Sequence, residues 1–335
     1  MKKIVLLTAL LCLVFVYSNA QVRYVKAHSH GNGESWETAY GDLQQALLNP
    51  IPGLQIWVAA GTYHPTTTNN RNISFIIPDD VQVYGGFAGY ETQLEQRNWK
   101  KNLTILSGEI GTNDPSDNSY TVVYTEGVSS STIVDGFAIT GGAANGVSSL
   151  GDIQRCGAGW YNNGSNGVSS PTITNCLFMN NYGRDGAALY NFAENGRCMP
   201  KLINCQFVAN KADLDGGAIF NDGRKGFTML EVDHCLFSGN SANFGAGINN
   251  HADNNGESRL ILKNSVFEGN VSYVRNTIND NELTGGSYDL IKQACRFTDN
   301  VAVVGDNNAN SSQDDAQSQP HNTYKKVSTI SYLRY

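Results

Sequence analysis

After residue 20 no apolar run approaches eighteen residues, which excludes a membrane-spanning helix from the mature chain. Charge is scarce, at 16% of residues, and leans acidic. Of 23 basic residues, Lys2 and Lys3 belong to a leader; the remaining 21 face 30 acidic ones, a net charge near −9. That balance speaks against nucleic acid or an anionic membrane as a partner. No CxxC pair occurs, which removes the spacing expected of a zinc site. Heptads and amphipathic helical spacing are missing from the second half. A GxSxG elbow and a phosphate-binding glycine loop between strand and helix are absent as well.

Repetition is abundant instead. GAGWYN begins at Gly157, GAALYN at Gly186, GGAIFN at Gly216 and GAGINN at Gly245, at intervals of 29, 30 and 29 residues. Between them runs a second signature: NCLFMNN from Asn175, NCQFVAN from Asn204, HCLFSGN from His234, NSVFEGN from Asn264 and ACRFTDN from Ala294. A period near thirty marks a solenoid. Cys176 and Phe178 alternate as inward residues, as do Cys205 and Phe207, and Cys235 and Phe237, which is strand chemistry. The leucine-asparagine pattern of a leucine-rich repeat is missing. The remaining architecture is all-β: a parallel β-helix whose coils donate short strands to long sheets.

The repeated glycine then marks a corner that needs positive φ or close backbone approach. Asn181, Asn210, Asn240, Asn270 and Asn300 form a second column, expected to tolerate left-handed turns and to bond amide to amide between coils. Cys176, Cys205, Cys235 and Cys295 fall in register with Ser265, which reads as small packed side chains rather than bridges. Cys156 and Cys198 lie outside that column and would be the pair if any disulfide forms. Phe178, Phe207, Phe237, Phe267 and Phe297 should make one buried stack. Arg275 stands where the next glycine is due, and Asn308 replaces an apolar residue after Gly305, so packing should weaken from Arg275 onward.

Residues 1–20 have a basic start, an apolar stretch and Ser18-Asn19-Ala20 before Gln21, the form of a secretory signal cleaved after Ala20. Cys12 lacks the small preceding residue of a lipobox. Residues 21–55 are expected to form an N-terminal cap with a short helix at Leu43 to Leu48. The solenoid would run from Ile56 to Asp306, and 307–335 reads as a polar, disordered or poorly capped tail.

HGNGESWETAYGDLQQAL, IWVAAGTYHPT, VYGGFAGYETQLEQRNW and DGFAITGG resemble the N-terminal half of secreted right-handed β-helix proteins of the pectate-lyase-like superfamily. The recurring NCxFxxN…GGAIxN is similar to the passenger repeats of chlamydial-type polymorphic outer membrane proteins. Together these resemblances cover roughly Arg23 to Asp306 and imply a right-handed, single-stranded coil. That superfamily holds lyases, hydrolases, epimerases and adhesive passengers, so the resemblance implies fold more than activity. No segment resembles a transporter barrel, a departure from the passengers.

Enzymes of such a fold need carboxylates, a cation or a base converging from adjacent coils. Asp185 and Asp215 each precede a motif glycine on neighbouring coils, with Asp213 close by and Arg184 adjoining. Oxygen ligands alone would favour calcium there, and Arg184 is the candidate base. Asp is also an ordinary turn residue before glycine. Asp233 and Lys263 share a column and offer an ion pair between coils, while His28 and His30 lack further ligands for a metal. Trp160, Tyr161 and Tyr190 offer stacking surfaces for a carbohydrate, although their place in the motif strand is equally compatible with burial. The expectation is a monomeric solenoid, secreted or on the outer surface of a bacterial cell, that binds a polysaccharide or a host or partner protein without catalysis. The alternative is a polysaccharide lyase or glycoside hydrolase acting on uronate-containing glycans.

Overall fold

A computed structural model describes residues 21–112, 114–281 and 285–304; the expected leader, Gly305, Asn308 and the tail lie outside the described residues. The described chain winds through about nine coils of a right-handed parallel β-helix. One mid-molecule coil shows the plan. Thr172–Thr174 lies in the first wall, Leu177–Met179 in the second, Tyr182–Asp185 in the third and Leu189–Phe192 in the fourth. Each strand pairs in parallel with its counterpart one coil on, and the four walls contain 11, 8, 6 and 7 strands among the described residues.

Three corners are left-handed. Asn175 (φ 51°) separates walls one and two, Asn180 (φ 53°) walls two and three, and Gly186 (φ 55°) walls three and four. The motif glycines Gly157, Gly186, Gly216 and Gly245 all occupy this last corner, with φ of 66°, 55°, 65° and 61°. Close approach acts there too, since a Cβ on Gly216 would meet Ile219 O at 2.3 Å. Arg275 takes the same register but is not left-handed, and the walls still continue through Ile278–Asn281, Ser287–Gln293, Arg296–Thr298 and Val301–Ala302.

The asparagine column departs from expectation in one respect. Asn181, Asn210, Asn240 and Asn270 are not themselves left-handed; the residue before each one is, namely Asn180, Ala209, Gly239 and Gly269. This frees the asparagine side chain to point inward and build a ladder. Each Nδ2–H donates to the next Oδ1, at 3.0, 3.0, 2.9 and 2.8 Å from Asn181 through to Asn300. Each amide also donates to a backbone carbonyl, so the buried groups are satisfied and impose no desolvation penalty. A second ladder, not anticipated, runs through the last residue of the glycine motif: Asn162, Asn191, Asn221, Asn250 and Asp280, with steps of 2.9, 2.8, 2.7 and 2.7 Å.

The phenylalanines stack as expected. Ring centroids from Phe178 to Phe297 are 4.9, 4.7, 4.3 and 4.8 Å apart, with planes within 9° of parallel. The first four are fully buried, whereas Phe297, on the last described coil, is only partly so. In the cysteine column the Cys205 N–H donates to Cys235 Sγ at 3.3 Å and the Cys235 N–H to Ser265 Oγ at 3.1 Å, which is why serine substitutes there. All six cysteines among the described residues are free thiols, Cys156 and Cys198 included.

The helix is Leu43–Leu47, capped by Asp42, whose side chain accepts from Gln44 N at 2.9 Å. Leu43, Ala46 and Leu47 bury themselves in the main core, closing the N-terminal end. The first wall begins earlier than Ile56, because Val22–Val25 already pairs in parallel with Gln55–Ala59. No helix among the described residues is long and apolar enough to cross a membrane.

Candidate functional site

The aromatic residues of the fourth wall form their own column outside the core. Tyr124 stacks on Tyr161 at 6.0 Å, Tyr161 on Tyr190 at 5.3 Å and Tyr190 on Phe220 at 5.1 Å. Strand alternation puts these rings on the outer face, where solvent would be expected. A strap of residues 145–156 crosses that face and covers them. Tyr161 donates its hydroxyl to Gly151 O at 2.6 Å, and Cys156 and Ile153 pack into the same cluster. Tyr190 is satisfied by Asp222 Oδ2 at 2.6 Å, and Asp222 is neutralised by Arg224. Tyr161 and Tyr190 are therefore buried, at 4% and 1% exposure, and unavailable for stacking on a ligand. Trp160 faces the other way, into the core, and its Nε1–H donates to Thr125 Oγ1 at 2.8 Å.

Asp185 and Asp215 do share a register at the end of the third wall. Asp213 does not join them. The pairing slips by one residue between Gly183 and Asp185, which turns Asp213 outward to accept the Tyr182 hydroxyl at 2.5 Å. That bond, more than burial, raises the Tyr182 hydroxyl to about 12. Asp185 is 2% exposed; Arg184 Nη1 lies 3.2 Å from its Oδ2, and its Oδ1 has no hydrogen-bond partner among the described residues. Burial pushes the Asp185 carboxyl upward against the pull of Arg184 and Arg155. Burial and then the charge of Asp185 bring Asp215 up to about 7, with Arg184 and Arg224 opposing. Arg184 thus stands as a counterion to the buried Asp185. Asp213, bonded to Tyr182, stands apart from the Asp185–Asp215 pair, and the three carboxylates do not gather as one group among the described residues. Asp233 and Lys263 are in register, but the Asp233 carboxylate is taken by His234 at 2.8 Å and Asn264 at 2.9 Å.

The aspartate pair gives a pH signature. A native carboxyl near 7 against an ordinary 3.8 means that the folded chain holds a proton the unfolded chain releases. Its contribution to stability is present below about pH 4 and is lost as pH rises through about 7. Asp215→Asn should therefore raise the melting temperature at about pH 8 and flatten its pH dependence between about pH 4 and 7. Identical profiles for the variant and the parent protein would disprove the assignment.

Where the strap ends its cover, a groove of about 360 Å³ opens on the fourth wall. Tyr124 opens onto it beside the covered Tyr161, Ile76 and Ile153 add apolar surface, and Asn72, Asn163 and Asp152 add polar groups to its lining. Ile76 is 59% exposed, and Tyr124 is half-buried. Tyr124 is held in place at its hydroxyl, which donates to Glu126 Oε2 at 3.0 Å and accepts from Asn163 Nδ2 at 3.0 Å. Tyr124 escaped the sequence pattern because it pairs with Tyr161, 37 positions later, across the extra length of the strap.

No protein-family model and no curated protein matches this chain. Two solved structures of the pectin methylesterase from Aspergillus niger are similar to it at 13% and 12% identity. The deglycosylated form gives a TM-score of 0.36 over 92% of this chain and 93% of that one. The penultimately deglycosylated form gives 0.34 over 83% and 87%.

Proposed function

We propose that the protein binds a polysaccharide across the groove on its fourth wall, and that it does so without cleaving it. The observation that carries this reading is the Tyr124 ring, half-buried where it opens onto the groove and fixed by Glu126 and Asn163. Sugars present apolar C–H faces to aromatic rings while their hydroxyls seek amides and carboxylates, and Asn72, Asn163 and Asp152 add such groups to the lining. The groove lining holds a carboxylate and no basic side chain among the described residues, which favours a neutral glycan over a uronate. With the export expected from residues 1–20, that glycan would be extracellular. A panel of neutral and acidic polysaccharides, assayed for retention and for cleavage, tests both parts. Tyr124→Ala should weaken binding about tenfold or more, the equivalent of about 1.4 kcal/mol. Equal retention of parent and variant would defeat the proposal.

A second reading, cleavage of a uronate-containing glycan, is favoured by one observation. Asp215 sits near 7, in the range suited to general acid or base work, one coil from Asp185. In the same panel, unsaturated or reducing-end products that disappear in Asp215→Asn would establish it.

A further inference from the structure

Among the described residues, buried side-chain oxygens without a hydrogen-bond partner are few, and four of them fall close together in the sequence. Glu109 Oε1, Asp117 Oδ1, Asn118 Oδ1 and Ser119 Oγ all lack one, within eleven residues of one loop. Burying an unpaired acceptor costs free energy, so a native structure that leaves four together implies that something else satisfies them.

Backbone contacts fold the two ends of this loop against each other. The Ser119 N–H donates to Gly108 O at 2.8 Å, and Asn118 Nδ2 donates to Gly141 O at 2.6 Å. A Cβ built on Gly141 would lie 3.5 Å from Glu109 N and 3.6 Å from Asn118 Nδ2, so the Glu109 backbone and the Asn118 amide both border Gly141. Asp117 is steered from the far side. Its Oδ2 accepts from Thr112 N at 2.9 Å and Thr112 Oγ1 at 2.6 Å, leaving Oδ1 free to turn elsewhere. Asn118 is 3% exposed and Ser119 fully buried, so bulk water does not supply the missing partners. Neither carboxylate is in an ion pair among the described residues.

From these positions the structure assigns a divalent-cation site to the loop, with Glu109, Asp117 and Asn118 as side-chain ligands. Two carboxylates and an amide carbonyl, all hard oxygens, suit calcium, which accepts irregular oxygen cages completed by backbone carbonyls and water. Magnesium demands a tighter octahedron and gives up its water reluctantly, so it should bind less well. With only two charged ligands the affinity belongs in the range of extracellular modules, on the order of 10⁻⁴–10⁻³ M. The loop also adjoins the groove: Arg71 Nε donates to Asn118 O at 2.6 Å, and the next residue, Asn72, lines the groove. A bound ion would fix that part of the lining.

The test is a calcium titration of the full chain, followed by melting temperature and by terbium luminescence sensitised through Tyr120, the neighbour of Ser119. Calcium at millimolar concentration should raise the melting temperature, magnesium less so, and calcium should compete with terbium. Glu109→Gln and Asp117→Asn should each weaken calcium at least about tenfold while keeping the parent far-ultraviolet spectrum without metal. Asp213→Asn, in the other acidic cluster, should bind as the parent does. A parent melting temperature indifferent to calcium, with no terbium signal, would overturn the site whatever the variants do. So would a loss in Asp213→Asn equal to that in Glu109→Gln.

Discussion

Phe237→Ala should lower stability by about 3–5 kcal/mol, at the upper end of what a buried aromatic truncation costs. Phe237 lies between Phe207 at 4.7 Å and Phe267 at 4.3 Å, so its removal strips one face of contact from each neighbour. The transfer of a fully buried phenylalanine accounts for about 1.5–3 kcal/mol, and the remainder is the unfilled cavity. That cavity cannot collapse, because the coils above and below are held apart by hydrogen-bonded walls at the inter-strand spacing of about 4.8 Å. Phe297→Ala offers the comparison, since this ring has one stacking neighbour, Phe267, and is partly exposed. Equilibrium denaturation of both variants should show the mid-stack loss at about twice the terminal one or more. Equal losses would mean that stacking in the interior contributes nothing beyond partial burial.

That column was readable in advance because each coil repeats the same inward residue at the same register. A fixed period converts directly into a vertical stack, and the cysteines and the inward asparagines followed by the same logic. Three features were not readable, each for a physical reason. The burial of Tyr161 and Tyr190 depends on the strap 145–156, a segment with no periodicity of its own, and strand alternation says which face a ring takes but not what covers it. The Asp185–Asp215 column was visible, but the one-residue slip that turns Asp213 away is a property of backbone pairing, silent in residue types. The unpartnered oxygens of Glu109, Asp117 and Asn118 lie on a loop that Gly108 and Gly141 tie down through backbone carbonyls, contacts that no residue pattern announces.

The function readings divide along the same line. The acidic column attracts attention in the sequence, yet Asp185 is buried and already paired with the Arg184 guanidinium. The groove at Tyr124 has no motif, yet it is the place where a half-buried aromatic ring, apolar side chains and amides meet. The strap decides both outcomes, covering the first aromatic residues one would choose and stopping short of Tyr124.

Gly226→Ala should be one of the most damaging single methyl additions to the described coils, costing about 4 kcal/mol or more. Beside the motif glycines runs a second glycine column, Gly196, Gly226, Gly256 and Gly286, in the loop that returns the chain to the first wall. None of the four is left-handed, so backbone freedom is not what requires them. Space is. A Cβ would fall 2.0 Å from Gly164 O, 1.7 Å from Ala193 O, 1.9 Å from Gly223 O and 1.6 Å from Ala252 O respectively, in each case the backbone of the preceding coil. A flexible side chain could swing away from such a contact, but a carbonyl bonded into a stacked coil cannot. Relief would therefore require separating two coils, with loss of wall hydrogen bonds on both sides. Gly239→Ala supplies the contrast: its φ is 64°, nothing lies within 4 Å of the added carbon, and Ala209 already occupies the equivalent corner one coil earlier at φ 53°. That change should cost only about 1 kcal/mol, the ordinary penalty for an alanine in the left-handed region. Thermal and denaturant unfolding of the two variants side by side decides the matter. If Gly226→Ala proves no worse than Gly239→Ala, close coil contact is not what selects glycine at this corner.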